Sequence, residues 1–180
     1  MRYKLYFRAM NHSKLVALSK QIDGDLYFDS TMRKLYATDA SAYREMPLAV
    51  ALPKTKDDLI KLICFANKES SSIIARAAGT SLAGQVVGGG IVVDISEEFC
   101  EIIEINVKDS YAIVQPGVVR DELNLRLKEF GLFYGPETST SNRSMIGGMV
   151  GNNSCGARSL IYGSAREHLI SVKVILADGN

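Results

Sequence analysis

Two glycine-rich runs hold the residues best suited to chemistry. The first, Arg76-Ala77-Ala78-Gly79-Thr80-Ser81-Leu82-Ala83-Gly84, follows the apolar Ser72-Ile73-Ile74-Ala75 and precedes Gly88-Gly89-Gly90-Ile91-Val92-Val93-Asp94. It reads as strand, loop, strand. Small side chains let the backbone come close to a pyrophosphate and turn several N–H groups toward it, while Thr80 and Ser81 add hydroxyl donors without bulk. The pattern points to a nucleotide cofactor, although a plain glycine-rich hairpin would share it.

The second run, Met145-Ile146-Gly147-Gly148-Met149-Val150-Gly151-Asn152-Asn153-Ser154-Cys155-Gly156, packs four glycines and two adjacent amides into twelve residues, and Tyr162-Gly163 follows. A packed core does not demand this. Gly147 and Gly148 would let backbone touch a flat ligand, and the Asn and Ser side chains supply donors and acceptors suited to ring carbonyls and nitrogens. A glycine-weakened helix start and loop is the other reading. Tyr134-Gly135-Pro136-Glu137-Thr138-Ser139-Thr140 leads into this run, and Gln115-Pro116-Gly117 closes an apolar stretch ahead of a helix. Each Pro-Gly pair alone marks only a turn.

The elements that must position these runs alternate. Asn11 to Ile22 carries Leu15, Val16, Leu18 and Ile22 at near-helical spacing, with Ser13 as a cap. Thr55 followed three residues later by Asp58 forms a capping box for a helix over Lys56 to Asn67. Val119 to Phe130 sets Val119, Leu123, Leu127 and Phe130 on one face, with Gly131 as the left-handed stop. Strands are expected over 48–52, 72–75, 91–95, 102–105, 111–115 and 169–177, several rich in Val and Ile. The order is α+β. The glycine loop near 79–90 is the expected seam between two small units, and a cleft there would suit an elongated cofactor. The expected organisation is a helical extension over 1–30, a first unit over 31–90 and a second over 91–180.

Composition narrows the alternatives. With 180 residues and 47% hydrophobic content, the chain can bury a substantial core. Lys and Arg number 21 against 20 Asp and Glu, giving a net charge of +1, and no basic run interleaves with aromatics, so nucleic acid is not an expected partner. The three cysteines, Cys64, Cys100 and Cys155, are widely spaced and form no CxxC, which suggests neither a disulfide framework nor a metal site and makes a reducing cytoplasm the default. No apolar run approaches the roughly 18 residues that span a bilayer, and the first residues lack a continuous apolar stretch.

Taken in order, these segments resemble the flavin-binding domain of the vanillyl-alcohol-oxidase (PCMH-type) superfamily, and within it the FAD-linked 2-hydroxy-acid dehydrogenases, the D-lactate dehydrogenase and glycolate oxidase subunit group. The resemblance runs over roughly residues 30 to 180. It rests on Thr38-Asp39-Ala40-Ser41-Ala42-Tyr43, Arg76 to Gly84 with Gln85, Gly90-Ile91-Val92-Val93-Asp94, Val114-Gln115-Pro116-Gly117, Gly135-Pro136-Glu137-Thr138, Ile146 to Gly156, and Tyr162-Gly163-Ser164-Ala165-Arg166-Glu167-His168. Asn152-Asn153-Ser154-Cys155-Gly156-Ala157 is also similar to large relatives that fuse the flavin dehydrogenase to an iron–sulfur module. That likeness implies an iron–sulfur cluster in a region beyond this chain.

The resemblance implies an α+β fold of two subdomains with FAD in the cleft between them. It makes Ala77, Ala78, Gly79, Thr80, Ser81 and Gly84 the pyrophosphate-binding residues, with Pro116 and Gly117 lining the same channel. Pro136, Thr138, Gly147, Gly148, Asn152, Ser154 and Gly156 would follow the ribityl chain and the ring, where the protein positions a flavin that does the redox chemistry. Arg76 is either a structural ion pair or a ligand contact. Relatives that bind flavin covalently often carry His where this chain has Thr80, so FAD is expected to be non-covalent.

The family's flavin domain continues past the equivalent of Asn180, so the chain is expected to be its N-terminal part, with substrate-orienting residues elsewhere and no catalytic residue named. The implied reaction transfers hydride from a small 2-hydroxy acid, such as D-lactate or glycolate, to FAD, and passes electrons to an acceptor protein or quinone. The implied setting is cytoplasmic, at most peripheral to the inner face of the membrane. His168 is expected to be structural, and Cys155 to pack as a small apolar residue. Two alternatives stay open: an NADPH-using flavin reductase of cell-wall precursor synthesis, and a non-catalytic module of the same fold.

Overall fold

Two hydrophobic cores, each built on its own sheet, organise residues 12–180, the part of the chain that the computed structural model describes. The first holds α1 (His12–Ser19), β1 (Asp25–Tyr27), α2 (Ser30–Leu35), β2 (Ala49–Leu52), α3 (Lys56–Glu69), β3 (Ile73–Arg76) and β4 (Ile91–Asp94). The sheet order is β1-β2-β4-β3, with β2 and β3 parallel to β4 and β1 antiparallel to β2. Register places Val50 and Ile74 on either side of Val92. The two central strands are nearly all buried, as continuous apolar runs in a parallel sheet covered on both faces should be.

α1 contributes Leu15 and Leu18 to this core, and Ile22, just past the helix, joins them. Of the segment expected as an extension, the described residues from His12 on therefore belong to the first unit. The helix ends at Ser19, Ser13 lies inside it, and Asn11 lies outside the described residues. β4, expected to open the second unit, pairs within the first sheet, because its apolar side chains complete the cover of β2 and β3.

α3 starts as its sequence demands. Thr55 Oγ1 accepts from the Asp58 N–H at 3.1 Å and the Asp58 carboxylate accepts from the Thr55 N–H at 3.3 Å. Asp58 does more than cap. Fully buried, it also accepts from the N–H groups of Asp23 (2.8 Å), Gly24 (3.0 Å) and Lys54 (2.9 Å), fastening the turn before β1 to the start of α3. Burial pushes its carboxyl up, yet the four backbone donors prevail and hold it below the ordinary carboxylate value.

The second core is built on β5 (Ile102–Asn106) and β6 (Tyr111–Val114), an antiparallel pair. α4 (Arg120–Leu127), α5 (Ile146–Gly151), α6 (Ser159–Tyr162) and a 3₁₀ turn over Ala165–His168 follow. Val118, Leu123, Leu127, Ile146, Met149 and Ala165 form its interior. Phe130 departs from the stripe expected of α4 and is 47% exposed. The chain tightens to a 3₁₀ turn over Lys128–Phe130, which rotates Phe130 off the buried face before Gly131 stops the element at φ +70.

Residues 169–177 are not a strand. Their apolar alternation reads as one, but no described strand lies beside them, and Ile170, Val172, Val174 and Leu176 are exposed. A strand needs a ladder partner, and side-chain pattern does not supply one.

Candidate functional site

The first glycine loop leaves β3 and returns into β4, the expected strand, loop, strand. Between them the N–H groups from Ala77 to Leu82 find no acceptor among the described residues, although this stretch is mostly half-buried. Backbone donors without a protein acceptor are free to meet a bound one, and an anion satisfies several together. Gly79 makes the loop's turn at φ +65.

Arg76 backs this loop. Its Nη1 donates to the Thr38 carbonyl at 2.8 Å, and its guanidinium lies 5.0 Å from the centre of the Tyr36 ring. Tyr36 donates to Asp94 Oδ2 at 2.8 Å, and Asp94 faces Arg76 in the β3–β4 register. Burial, and then this bond to Asp94, push the Tyr36 hydroxyl well above its ordinary value, so it stays a donor. Of the two readings held for Arg76, its visible partners are a carbonyl and a ring. Its charge nonetheless stands behind the loop, where it favours an anion in front. The Gly79 carbonyl accepts from the Ala40 N–H at 3.1 Å, tying the loop to Thr38-Asp39-Ala40-Ser41.

The second glycine run reaches the first. α5 follows an extended Met145 and packs so closely on the 116–117 turn that the Gly147 N–H donates to the Pro116 carbonyl at 2.8 Å. A Cβ on Gly147 would stand 2.5 Å from Pro116 Cβ, so glycine is required there. Gly148, one residue on, faces the first loop: its Cβ would meet Ala77 Cβ at 3.5 Å. Beyond α5, Asn152 Oδ1 accepts from Gln85 Nε2 at 2.8 Å. Ala77, Ser81, Gly148 and Asn152 therefore gather around one place, with Gln85 among them.

The remaining expected residues shape the surroundings. Gly84 turns at φ +69 against the Tyr43 ring. Gly117 is walled by the carbonyls of Ile95 and Phe99. Pro136 is fully buried, its carbonyl accepting from Arg120 Nε at 3.1 Å. The Thr138 hydroxyl is engaged with Ser144 (3.0 Å) and Thr140 (3.2 Å). Ser154 is buried, its N–H bonded to the Met149 carbonyl, and Gly156 lies against Glu137. Ala78 and Thr80 sit in the half-buried loop itself.

Cys155 is exposed, not packed, because the loop buries its neighbour Ser154 and turns the next side chain outward. His168 contacts the Tyr162 carbonyl through Nε2 and the Tyr134 ring edge-on.

Comparison with known proteins shows the family. Residues 47–180 match the FAD binding domain. The chain belongs to that family. It is 39% identical over 163 residues to D-2-hydroxyglutarate dehydrogenase of Haemophilus influenzae, covering 89% of this chain and 16% of that protein. It is 34% identical over 165 residues to glycolate oxidase subunit GlcD of Bacillus subtilis, covering 89% of this chain and 35% of that one. The fold is shared with 6-hydroxy-D-nicotine oxidase from Arthrobacter nicotinovorans at a TM-score of 0.75 and 23% identity, over 88% of this chain and 35% of the oxidase. The chain thus spans a minor part of each of these proteins.

The residues present fit FAD. A row of N–H groups without protein acceptors and an arginine beside it suit a pyrophosphate, and the small residues of both runs let backbone come close to a flat ring. In this FAD binding domain, residues that spacing alone did not single out as site members contact the two runs. Tyr36 and Asp94 brace Arg76, and Gln85 bridges the two runs. Gln85 carried one signal, a long amide directly after the last glycine of the first loop.

Proposed function

We propose that this chain is the FAD-holding part of a flavin-dependent oxidoreductase that oxidises a small 2-hydroxy acid, with electrons leaving for a second acceptor, a protein or a quinone. The observation that carries the reading is the unpaired N–H row from Ala77 to Leu82 backed by Arg76, facing Gly148 of α5. The relatives' names, D-2-hydroxyglutarate dehydrogenase, glycolate oxidase subunit and D-lactate dehydrogenase, share the 2-hydroxy-acid substrate class. When bound, the flavin supplies the hydride acceptor.

The chain's own residues bind and orient. Ala77, Ala78, Gly79, Thr80 and Ser81 hold the pyrophosphate through backbone donors, and Gly84 shapes the loop's exit. Pro116 and Gly117 seat α5, which brings Gly147, Gly148 and Asn152 to the ring side. Pro136, Thr138, Ser154 and Gly156 fix the loops around them. Residues 12–94 and 102–168 form the two halves of the cleft. Thr80 offers no ring nitrogen for covalent attachment, which supports the reading of a dissociable FAD.

Titration of the chain with FAD, followed by flavin fluorescence and repeated against ADP as competitor, tests this. Saturable binding at one FAD per chain, displaced by ADP, is expected. Absence of saturable binding overturns the proposal.

A further inference from the structure

Gln85 and Asn152 lie 67 residues apart in sequence and meet through their side chains, with Gln85 Nε2 donating to Asn152 Oδ1 at 2.8 Å. Gln85 does not approach at random. The Ser81 hydroxyl accepts from the Ala83 N–H at 3.2 Å, and its own proton goes to Gln85 Oε1 at 2.6 Å. With the carbonyl end of Gln85 held by Ser81, its N–H₂ end faces Asn152, and an N–H₂ group can be met only by an acceptor. In this arrangement Asn152 turns its carbonyl to Gln85. Its Nδ2 has no acceptor among the described residues.

We propose that Gln85 is a positioning residue that fixes the Asn152 amide so that its N–H₂ group, not its carbonyl, is the one left to serve the flavin. The inference rests on the FAD reading above. Both side chains are exposed, so the bond adds little to stability; what it determines is direction. An unclasped amide can turn either end toward a ligand. The flavin ring's polar edge is rich in acceptors, whose negative charge grows on reduction, so a fixed donor there is favourable and a fixed acceptor is not. The chain Ala83, Ser81, Gln85, Asn152 thus links the loop assigned to the pyrophosphate with the residue assigned to the ring.

The experiment measures FAD affinity, the visible absorption of bound flavin and the thermal midpoint for wild type, Gln85→Ala, Gln85→Glu, Asn152→Ala and the Gln85→Ala/Asn152→Ala double variant. Each single variant should bind FAD about fivefold more weakly, the size of one ordinary hydrogen bond. The double variant should be no weaker than Asn152→Ala, since the two residues act as a unit. Gln85→Glu keeps the acceptor for Ser81 but cannot donate, so it should bind no better than Gln85→Ala and should shift the bound flavin's absorption band. Thermal midpoints should not move. Wild-type affinity in Gln85→Glu, multiplicative losses in the double variant, or losses that track a falling midpoint would each overturn the clasp while leaving FAD binding intact. Failure of the wild type to bind overturns the FAD reading itself.

Discussion

The guanidinium of Arg76 lies directly against the turn at Gly79, so that a Cβ on Gly79 would come within 2.6 Å of Nη2. The same glycine adopts φ +65, a conformation that side-chain-bearing residues rarely take. Two independent constraints therefore coincide at one residue. Gly79→Ala should cost about 1–2 kcal/mol of stability from backbone strain. It should also displace the arginine or the turn, and with it the aim of the unpaired N–H groups. FAD affinity should fall by about tenfold or more, the equivalent of 1.4 kcal/mol. Parallel FAD titration and urea unfolding check both numbers, and an alanine variant with unchanged affinity would refute the placement of the pyrophosphate.

Gly147 and Gly148 are neighbours with opposite surroundings, and substitution should separate them. Gly147 sits on Pro116 with no room for a Cβ, so Gly147→Ala should unseat α5 and lower the thermal midpoint. Gly148 has ordinary contact space toward Ala77, so Gly148→Ala should fold normally. Gly148→Leu would add bulk where α5 meets the first loop. Its expected phenotype is a retained midpoint with FAD binding lost. Melting curves and FAD titration on the three variants read this directly, and equal destabilisation by both alanines would contradict it.

Asp58 makes stability depend on acid. Its carboxyl is held below the ordinary value in the folded chain, so the folded state favours the charged form. The contribution is complete above the ordinary carboxylate value of about 4 and is lost as pH falls through the lowered folded value. Asp58→Asn should cost about 2–3 kcal/mol near neutrality, because either amide orientation sets an N–H₂ group against at least one of the four backbone donors. Urea midpoints measured from pH 7 down to pH 3 should show the difference between wild type and variant shrinking toward the acid end. A constant difference would mean that the carboxylate charge is not what holds the turn.

Local chemistry was legible in the sequence, and distant pairing was not. The capping box of α3 could be read from Thr55 and Asp58 because a cap is set within one helical turn. Both glycine runs could be read because small residues where backbone must come close leave a compositional trace. β1 and α2 were not foreseen. β1 is three residues, Asp25–Tyr27, with no internal periodicity, and α2 is six residues started by Asp29, too short for an apolar stripe. The bond from Gln85 to Asn152 was beyond reach as well, since no local rule joins residues so far apart. Phe130 was misplaced by assuming one helical period through to Gly131, and the 3₁₀ turn broke it.

The segment from Leu169 to Ala177 tests how far pattern and pairing can diverge. Its run Ile170-Ser171-Val172-Lys173-Val174-Ile175-Leu176 has the residues of a strand, yet the N–H groups of residues 170–175 take no backbone acceptor among the described residues. The contacts that hold the segment lie at its ends: the Leu169 N–H donates to the Arg166 carbonyl, and the Ala177 carbonyl accepts from the Asn67 side chain. Protection against exchange comes from hydrogen bonding and burial; residues 170–175 lack backbone hydrogen bonds among the described residues, and all but the half-buried Ile175 are exposed. In hydrogen exchange followed by mass spectrometry, residues 170–175 should therefore exchange at close to the unstructured rate, while the buried β2 and β4 stay protected to near the global stability of the chain. Protection of 170–175 comparable to that of β4 would show that the segment has found a ladder partner in solution, such as a second copy of the chain. Repeating the measurement across a concentration series would then identify that partner, because protection by a second copy rises with concentration and protection within one chain does not.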